Sequence, residues 1–263
     1  MIEIAIPTYN RPVGLRNKTL KFLENQNIPK KWITIFYASE TQKVLYELPN
    51  YRGVVGVLGL ANQRNFIKDH YPEGTLTLNL DDDVTQIKGL VEGKLRKINL
   101  KAVITKAKRL MKKHNLTLLG ISPVAYSKWM KQEYCLGSVF ILGTFYFEQV
   151  MHVYYLPKDF NDKEDVLRSC IYSDAKLGIG KLHCVAIETK FYQPGGYLSE
   201  CTMEERMERD NEAALLIAAK YPHLCRKWTR ASGKMELRFY QKPTGFPIPE
   251  FVQKLKTTSE LKD

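Results

Sequence analysis

Leu76-Thr77-Leu78-Asn79-Leu80-Asp81-Asp82-Asp83-Val84 runs an alternating apolar segment directly into three consecutive carboxylates. Leu76, Leu78 and Leu80 share one face at period two while Thr77 and Asn79 take the other, which is the pattern of a strand with the acids at its end. Three adjacent like charges repel, so the arrangement is costly in a folded chain unless a cation or strong donors compensate. A divalent metal would do so. Hard oxygen ligands at a sheet edge suit magnesium or manganese, ions that also hold phosphate oxygens. A solvated acidic turn accounts for the triplet alone equally well.

Upstream, further strands are expected to end in polar loops. Ile2, Ile4 and Ile6 alternate, and Pro7-Thr8-Tyr9-Asn10-Arg11-Pro12 then breaks the pattern and opens a helix carrying Leu15, Leu20 and Leu23. A loop after an opening strand lies at the carboxyl edge of an α/β sheet, where ligands bind. Tyr9 offers a ring to a base and Arg11 a guanidinium to phosphate, although a Pro-rich turn with a solvated Arg would read the same way. Trp32 to Tyr37 reads as a second strand and Val54 to Leu58 as a third. Gly59-Leu60-Ala61-Asn62-Gln63-Arg64-Asn65 then enters a helix, placing Arg64 either near a phosphate-binding N-terminus or on a solvated face.

Downstream, Leu100, Val103, Ile104, Ala107, Leu110 and Met111 mark the apolar face of a helix capped by Asn99, with lysines opposite. Leu116 to Ser122, Val139 to Leu142 and His183 to Ile187 read as strands, separated by an aromatic-rich middle that is expected to be mostly core. Asn161 or Asp162 would cap a helix whose first turn holds Glu164 and Asp165, where the helix dipole keeps carboxylates ionised, as a general base requires. Dipole complementation without a catalytic task is the alternative. His183 is either structural or a third metal ligand. Beyond a Gly195-Gly196 turn, Thr202-Met203-Glu204-Glu205 forms a capping box for a helix reaching Lys220. Lys227, Arg230, Lys234 and Arg238 follow, interleaved with Trp228 and Tyr240, a mixture suited to nucleic acid or phosphate.

The 263 residues allow one sizeable domain. We expect a single compact unit over 1–243, with a ligand-binding half at 1–90, a second half at 91–243 and a peripheral arm at 244–263. A net charge of +12 favours a polyanionic partner. The five cysteines show no C-x-x-C pair and leave one over, which argues against a disulfide framework and a zinc ribbon and fits a reducing compartment such as cytoplasm or nucleus. Neither a secretory signal nor a bilayer-spanning run is recognisable, which excludes most membrane-embedded polysaccharide synthases.

Three motifs, Ile4-Ala5-Ile6-Pro7-Thr8-Tyr9-Asn10-Arg11, Arg64-Asn65 and Asp81-Asp82-Asp83, stand in the order of the nucleotide-binding half of GT-A nucleotide-sugar glycosyltransferases, which the chain resembles. Glu164-Asp165 looks like that group's acidic catalytic pair. Within the group, the Lys163-Glu164-Asp165-Val166 helix looks most like the TET-associated glycosyltransferases, which include the base J glucosyltransferase. The resemblance implies an α/β fold with a central mixed, Rossmann-like sheet flanked by helices, and inverting transfer of a sugar, glucose in the nearest group, from a UDP-sugar with Mn2+ or Mg2+. It implies that Pro7, Thr8, Tyr9, Arg11 and Arg64 hold the donor with Asp81 and Asp82. Asp83, with Asp81 and His183, would hold the metal, and Asp165, with Glu164 in reserve, would act as base. The implied acceptor is a hydroxymethylated pyrimidine, such as 5-hydroxymethyluracil, in DNA. A glycan- or protein-directed transferase and a non-catalytic nucleic-acid-binding protein on the same scaffold remain open.

Overall fold

The computed structural model describes residues 2–189 and 201–248. Its strands are β1 (Glu3–Thr8), β2 (Ile33–Tyr37), β3 (Arg52–Val55), β4 (Leu76–Leu80), β5 (Val84–Val91), β6 (Lys94–Lys97), β7 (Leu116–Ser122), β8 (Glu133–Leu136), β9 (Phe145–Gln149), β10 (Gly178–Thr189), β11 (Cys225–Thr229), β12 (Met235–Phe239) and β13 (Thr244–Pro247). All but β11 and β12 join one eleven-stranded mixed sheet, whose main path runs β13-β8-β10-β7-β9-β4-β1-β2-β3, and both halves of the chain contribute to it. β11 and β12 form a separate two-stranded ribbon.

The sheet's directions place the site. β4, β1, β2 and β3 are parallel, as are β7 and β10, so β1, β2, β4, β7 and β10 deliver their carboxyl ends to one edge. β9 runs antiparallel between β4 and β7, with Phe145 opposite Leu80. The turn entering β9 therefore meets the end of β4, and the Asp81 N–H donates to the Thr144 carbonyl at 3.0 Å.

β4 forms as the alternation predicts and is buried on both faces. Leu78 and Leu80 enter the main core, while Thr77 and Asn79 are equally buried because the Thr77 hydroxyl donates to the Glu148 carbonyl and Asn79 donates to Thr77. Flanking strands on either side take up the backbone hydrogen bonds of both edges. The first helical run, 12–25, contains a π turn over Arg16–Leu20 that aims Thr19 at the acidic turn. Thr19 donates to the Asp81 carbonyl at 2.8 Å and accepts from the Val84 N–H at 2.9 Å. It thereby fixes both ends of the turn.

Several expectations need correction. The third strand covers Arg52–Val55 rather than 54–58, because the chain turns at Gly56 to bring Val57 under the Gln63 side chain. Residues 139–142 are not a strand: Ser169 holds the Ile141 N–H and Lys181 the Phe140 carbonyl, so side chains take the ladder's place. Neither Asn161 nor Asp162 caps the Glu164–Asp174 helix, whose N-cap is Lys163 in the left-handed region at φ 52°. The expected arm at 244–263 begins as β13, paired with β8, while residues 249–263 lie outside the described residues. The Gly195-Gly196 turn also lies outside them. The helix at Leu100–His114 with its Asn99 cap and the Thr202–Glu205 capping box both form. No helix among the described residues is long and apolar enough to cross a membrane.

Candidate active site

A cleft of about 180 Å³ opens at the carboxyl edge between the loop after β1 and the segment after β3. Pro7, Thr8, Tyr9 and Arg11 form one side, Val57, Leu58 and Gln63 the other, and Asp81 and Asp82 the floor. The three consecutive acids have three different environments. Asp82 is buried and turned inward: it accepts from Thr8 Oγ1 at 2.6 Å and from Arg11 Nη1 at 3.2 Å. Burial pushes its carboxyl up to about 6 despite the Arg11 charge and the Thr8 hydrogen bond. Because Thr8 spends its proton on Asp82, its contact with Tyr46 at 2.7 Å has Tyr46 Oη as donor. Tyr46 Oη also accepts from the Arg11 N–H at 2.8 Å, so one fully buried phenol sets the loop's shape.

Asp81 is the more open acid, with its side chain one-third exposed and Oδ1 held by Arg64 Nη2 at 2.7 Å. Asp83 accepts from Thr189 Oγ1 at 2.7 Å and lies 3.6 Å from Arg11. Burial and then the neighbouring Asp81 charge raise the Asp83 carboxyl. That mutual repulsion is what a cation would relieve, and the donor set consists of hard oxygens. No group of three or more potential ligands gathers among the described residues. The carboxylates of Asp81 and Asp83 are of the kind that a hard divalent ion takes.

His183 does not join them. It lies six residues before Thr189 along β10 and forms no group of potential ligands with the acids. Burial and then Lys181 lower it to about 4, and its other charged neighbours are Glu133 and Lys131. It sits in the middle of β10, next to Leu182, which pairs with Tyr134 of β8.

Arg64 is not on a solvated face. It is buried, reaches the Gly143 carbonyl at 3.0 Å as well as Asp81, and packs 5.6 Å from the Tyr146 ring centroid. Its Nε and Nη1 are buried without hydrogen-bond partners. Gly143 is the hinge between the two acidic groups, since its N–H donates to Asp165 Oδ2 at 3.1 Å. Asp165 Oδ1 accepts from the Val166 N–H at 2.8 Å, so backbone amides hold both of its oxygens. Glu164 is buried, and burial followed by the Asp165 charge raises it to about 8 against the pull of Arg64 and Arg168. Burial raises the Asp165 carboxyl as well, opposed by Arg168 and by the two backbone amides that hold its oxygens.

The two halves are joined by a seam invisible in the periodicity. The Leu60–His70 helix turns Asn62, Asn65 and Lys68 toward 153–161. Asn62 exchanges hydrogen bonds with Asp159, Asn65 exchanges two with the Leu156 backbone, and Lys68 reaches the Val153 and Tyr154 carbonyls. Asn161 Oδ1 accepts from the Ala61 N–H at the helix start. Asn161 therefore caps a helix, but not its own. The sequence gives no sign of Tyr46, Thr19 or Thr189 at the site, nor of the contacts that Asn62 and Gly143 make. Only the polar spacing of Asn62, Asn65 and Lys68 on an otherwise mixed helix hinted at this seam.

No protein-family model matches the chain, and no curated protein matches it. Solved structures do. The fold is that of GT-A nucleotide-sugar glycosyltransferases, a mixed sheet flanked by helices in a single compact domain. TarS residues 1–349 of S. aureus, in complex with UDP-GlcNAc, aligns at a TM-score of 0.56 and 16% identity over 82% of this chain and 66% of that one. The chain spans less than two-thirds of that TarS fragment and 39% of a longer TarS chain. Glucosyl-3-phosphoglycerate synthase from Mycobacterium tuberculosis, in complex with Mn2+, UDP-glucose and phosphoglyceric acid, aligns at a TM-score of 0.52 and 7% identity over 94% of this chain and 89% of that one.

Proposed function

We propose that the protein is a metal-assisted, inverting glycosyltransferase that moves a sugar from a UDP-sugar to a hydroxyl group. The observation carrying this reading is the continuous link from Asp81 through Arg64 and Gly143 to Asp165, which ties a fixed carboxylate to the floor of the cleft. Tyr9 and the apolar Val57 and Leu58 wall suit a base, and Arg11 lies over the acids where a diphosphate would enter. Asp83 and Asp81 would hold Mn2+ or Mg2+, which neutralises charge on a departing diphosphate. The ionised Asp165 takes the proton of the acceptor hydroxyl as its oxygen bonds to the anomeric carbon. The bond from that carbon to the diphosphate oxygen breaks, and the electron pair leaves with the nucleotide. Glu164, carrying its proton, lets Asp165 keep its charge in a buried site.

For the acceptor we favour the hydroxymethyl group of a modified pyrimidine in DNA, with glucose as the sugar. Sequence resemblance and the net charge of +12 support this choice. Incubating hydroxymethyluracil-containing duplex with UDP-glucose, Mn2+ and the protein should add one hexose mass to the base. Hexose transfer to a glycan or protein, with none to the duplex, would overturn the acceptor. Failure to release UDP from any UDP-sugar would overturn the transferase reading.

A further inference from the structure

The β11–β12 ribbon lies off the main sheet and has two unlike faces. In the register of the pair, Cys225, Phe239 and Leu237 share one face and pack with Ile217 and Tyr221 in a separate apolar cluster, which anchors the ribbon. Arg226 stands directly opposite Arg238 and Trp228 opposite Glu236 on the other face. Like charges opposed across a ladder destabilise it, and no carboxylate among the described residues pairs with Arg226, Lys227 or Arg238. The Arg238 guanidinium lies 4.0 Å from the Trp228 ring centroid and that of Arg230 lies 5.8 Å from it. Contact with the ring holds the Arg238 group while leaving its N–H edge available to a phosphate or a guanine edge, whereas Arg230 is ion-paired with Glu236 at 3.2 Å. Tyr240 extends the exposed surface.

The ribbon is also tied to the candidate catalytic helix. Glu236, the cross-strand partner of Trp228, lies 3.5 Å from Nζ of Lys163, which adjoins Glu164. Asp210 holds Lys163 from a second side at 3.8 Å. Glu236 thus links the ribbon to Lys163, two residues before Asp165 in the sequence.

We infer that the β11–β12 ribbon is a docking surface for duplex DNA, entering the major groove beside the candidate base. This rests on the transferase reading for its purpose but not for its physics. A two-stranded ribbon fits the B-form major groove, whereas the deep and narrow major groove of A-form RNA does not admit it. The excess of twelve positive charges supplies the attraction.

The test is binding of the full chain to a fluorescein-labelled unmodified DNA duplex across a salt series, alongside the same sequence as duplex RNA and linear polyphosphate. The surface predicts tightest binding to DNA. It also predicts that Arg226→Ala with Arg238→Ala lowers the salt slope by about two and affinity at least ~10-fold. A melting temperature close to the parent's shows that the exposed substitutions leave the fold intact. An unchanged slope in the double variant, or equal binding to RNA or polyphosphate, overturns the proposal. UDP release by the unmodified protein, measured in parallel, separates the two readings: arginine-dependent duplex binding without UDP release would sink the transferase and leave this surface standing. UDP release with duplex binding indifferent to the arginines would sink this surface alone.

Discussion

Arg64 and Asp165 are joined through Gly143, whose carbonyl accepts from Arg64 Nη2 at 3.0 Å and whose N–H donates to Asp165 Oδ2 at 3.1 Å. The donor side and the candidate base are thus positioned by one residue without a side chain. A Cβ at Gly143 would lie 2.8 Å from Glu164 Oε1 and 3.3 Å from Asp165 Cβ. Gly143→Ala should therefore displace the acidic pair, lowering kcat roughly 10²-fold while the Kd for UDP changes little. Steady-state kinetics with calorimetric UDP binding check this, and equal losses in both would contradict a positioning role.

Asp83→Ala removes one of two acids whose mutual repulsion calls for a cation. Enhancement of UDP binding by Mn2+ should disappear, metal-free UDP binding should persist, and transfer should fall by ~10²-fold or more. Titrations with and without Mn2+ read this directly; full retention of the Mn2+ effect would remove Asp83 from the ligand set.

Tyr46→Phe deletes the hydroxyl that accepts from the Arg11 N–H and donates to Thr8. An orphaned buried N–H costs about 1–3 kcal/mol, which denaturant unfolding would register. Loosening Thr8 and Arg11 should raise KM for the UDP-sugar more than it lowers kcat. The opposite split would place Tyr46 in the chemistry instead.

Much of the edge was legible because strand endings announce themselves. Ile2 to Ile6 and Leu76 to Leu80 alternate, and the polar residues after them, Thr8, Arg11 and Asp81 to Asp83, converge because parallel strands end together. Long-range polar contacts were not legible. Thr19 reaches the acidic turn across 62 residues and Asn161 caps a helix 100 residues upstream, and neither relation leaves a periodic trace. His183 misled because its residue type suits a metal while its position, six residues up β10, is set by strand length. The Glu164-Asp165 pair was found through a wrong cap, since first-turn acids are recognisable whichever residue precedes them.

Asn65→Ala tests the seam between the halves. Asn65 donates to the Leu156 carbonyl at 2.8 Å and accepts from its N–H at 3.0 Å, so the substitution strands two backbone groups. A loss of about 1–3 kcal/mol is expected in equilibrium unfolding. A neutral effect would mean that water replaces the amide and the seam is incidental.

Burial and the Asp165 charge raise Glu164 from an ordinary value of 4.5 to about 8 in the folded protein. A carboxyl raised on folding binds its proton more tightly in the native state, so its contribution is full below about 4.5 and is lost as pH rises toward 8. The parent's melting temperature should accordingly decline across that window. Glu164→Gln has no proton to lose and keeps a neutral, nearly isosteric group against Gly143, so its profile should be flatter. Above pH 8 it should exceed the parent in stability by up to a few kcal/mol. Melting curves of both proteins from pH 4.5 to 9 decide the matter. Parallel profiles would mean that Glu164 is ionised in the folded site, and the assignment of Asp165 rather than Glu164 as the charged base would fall with it.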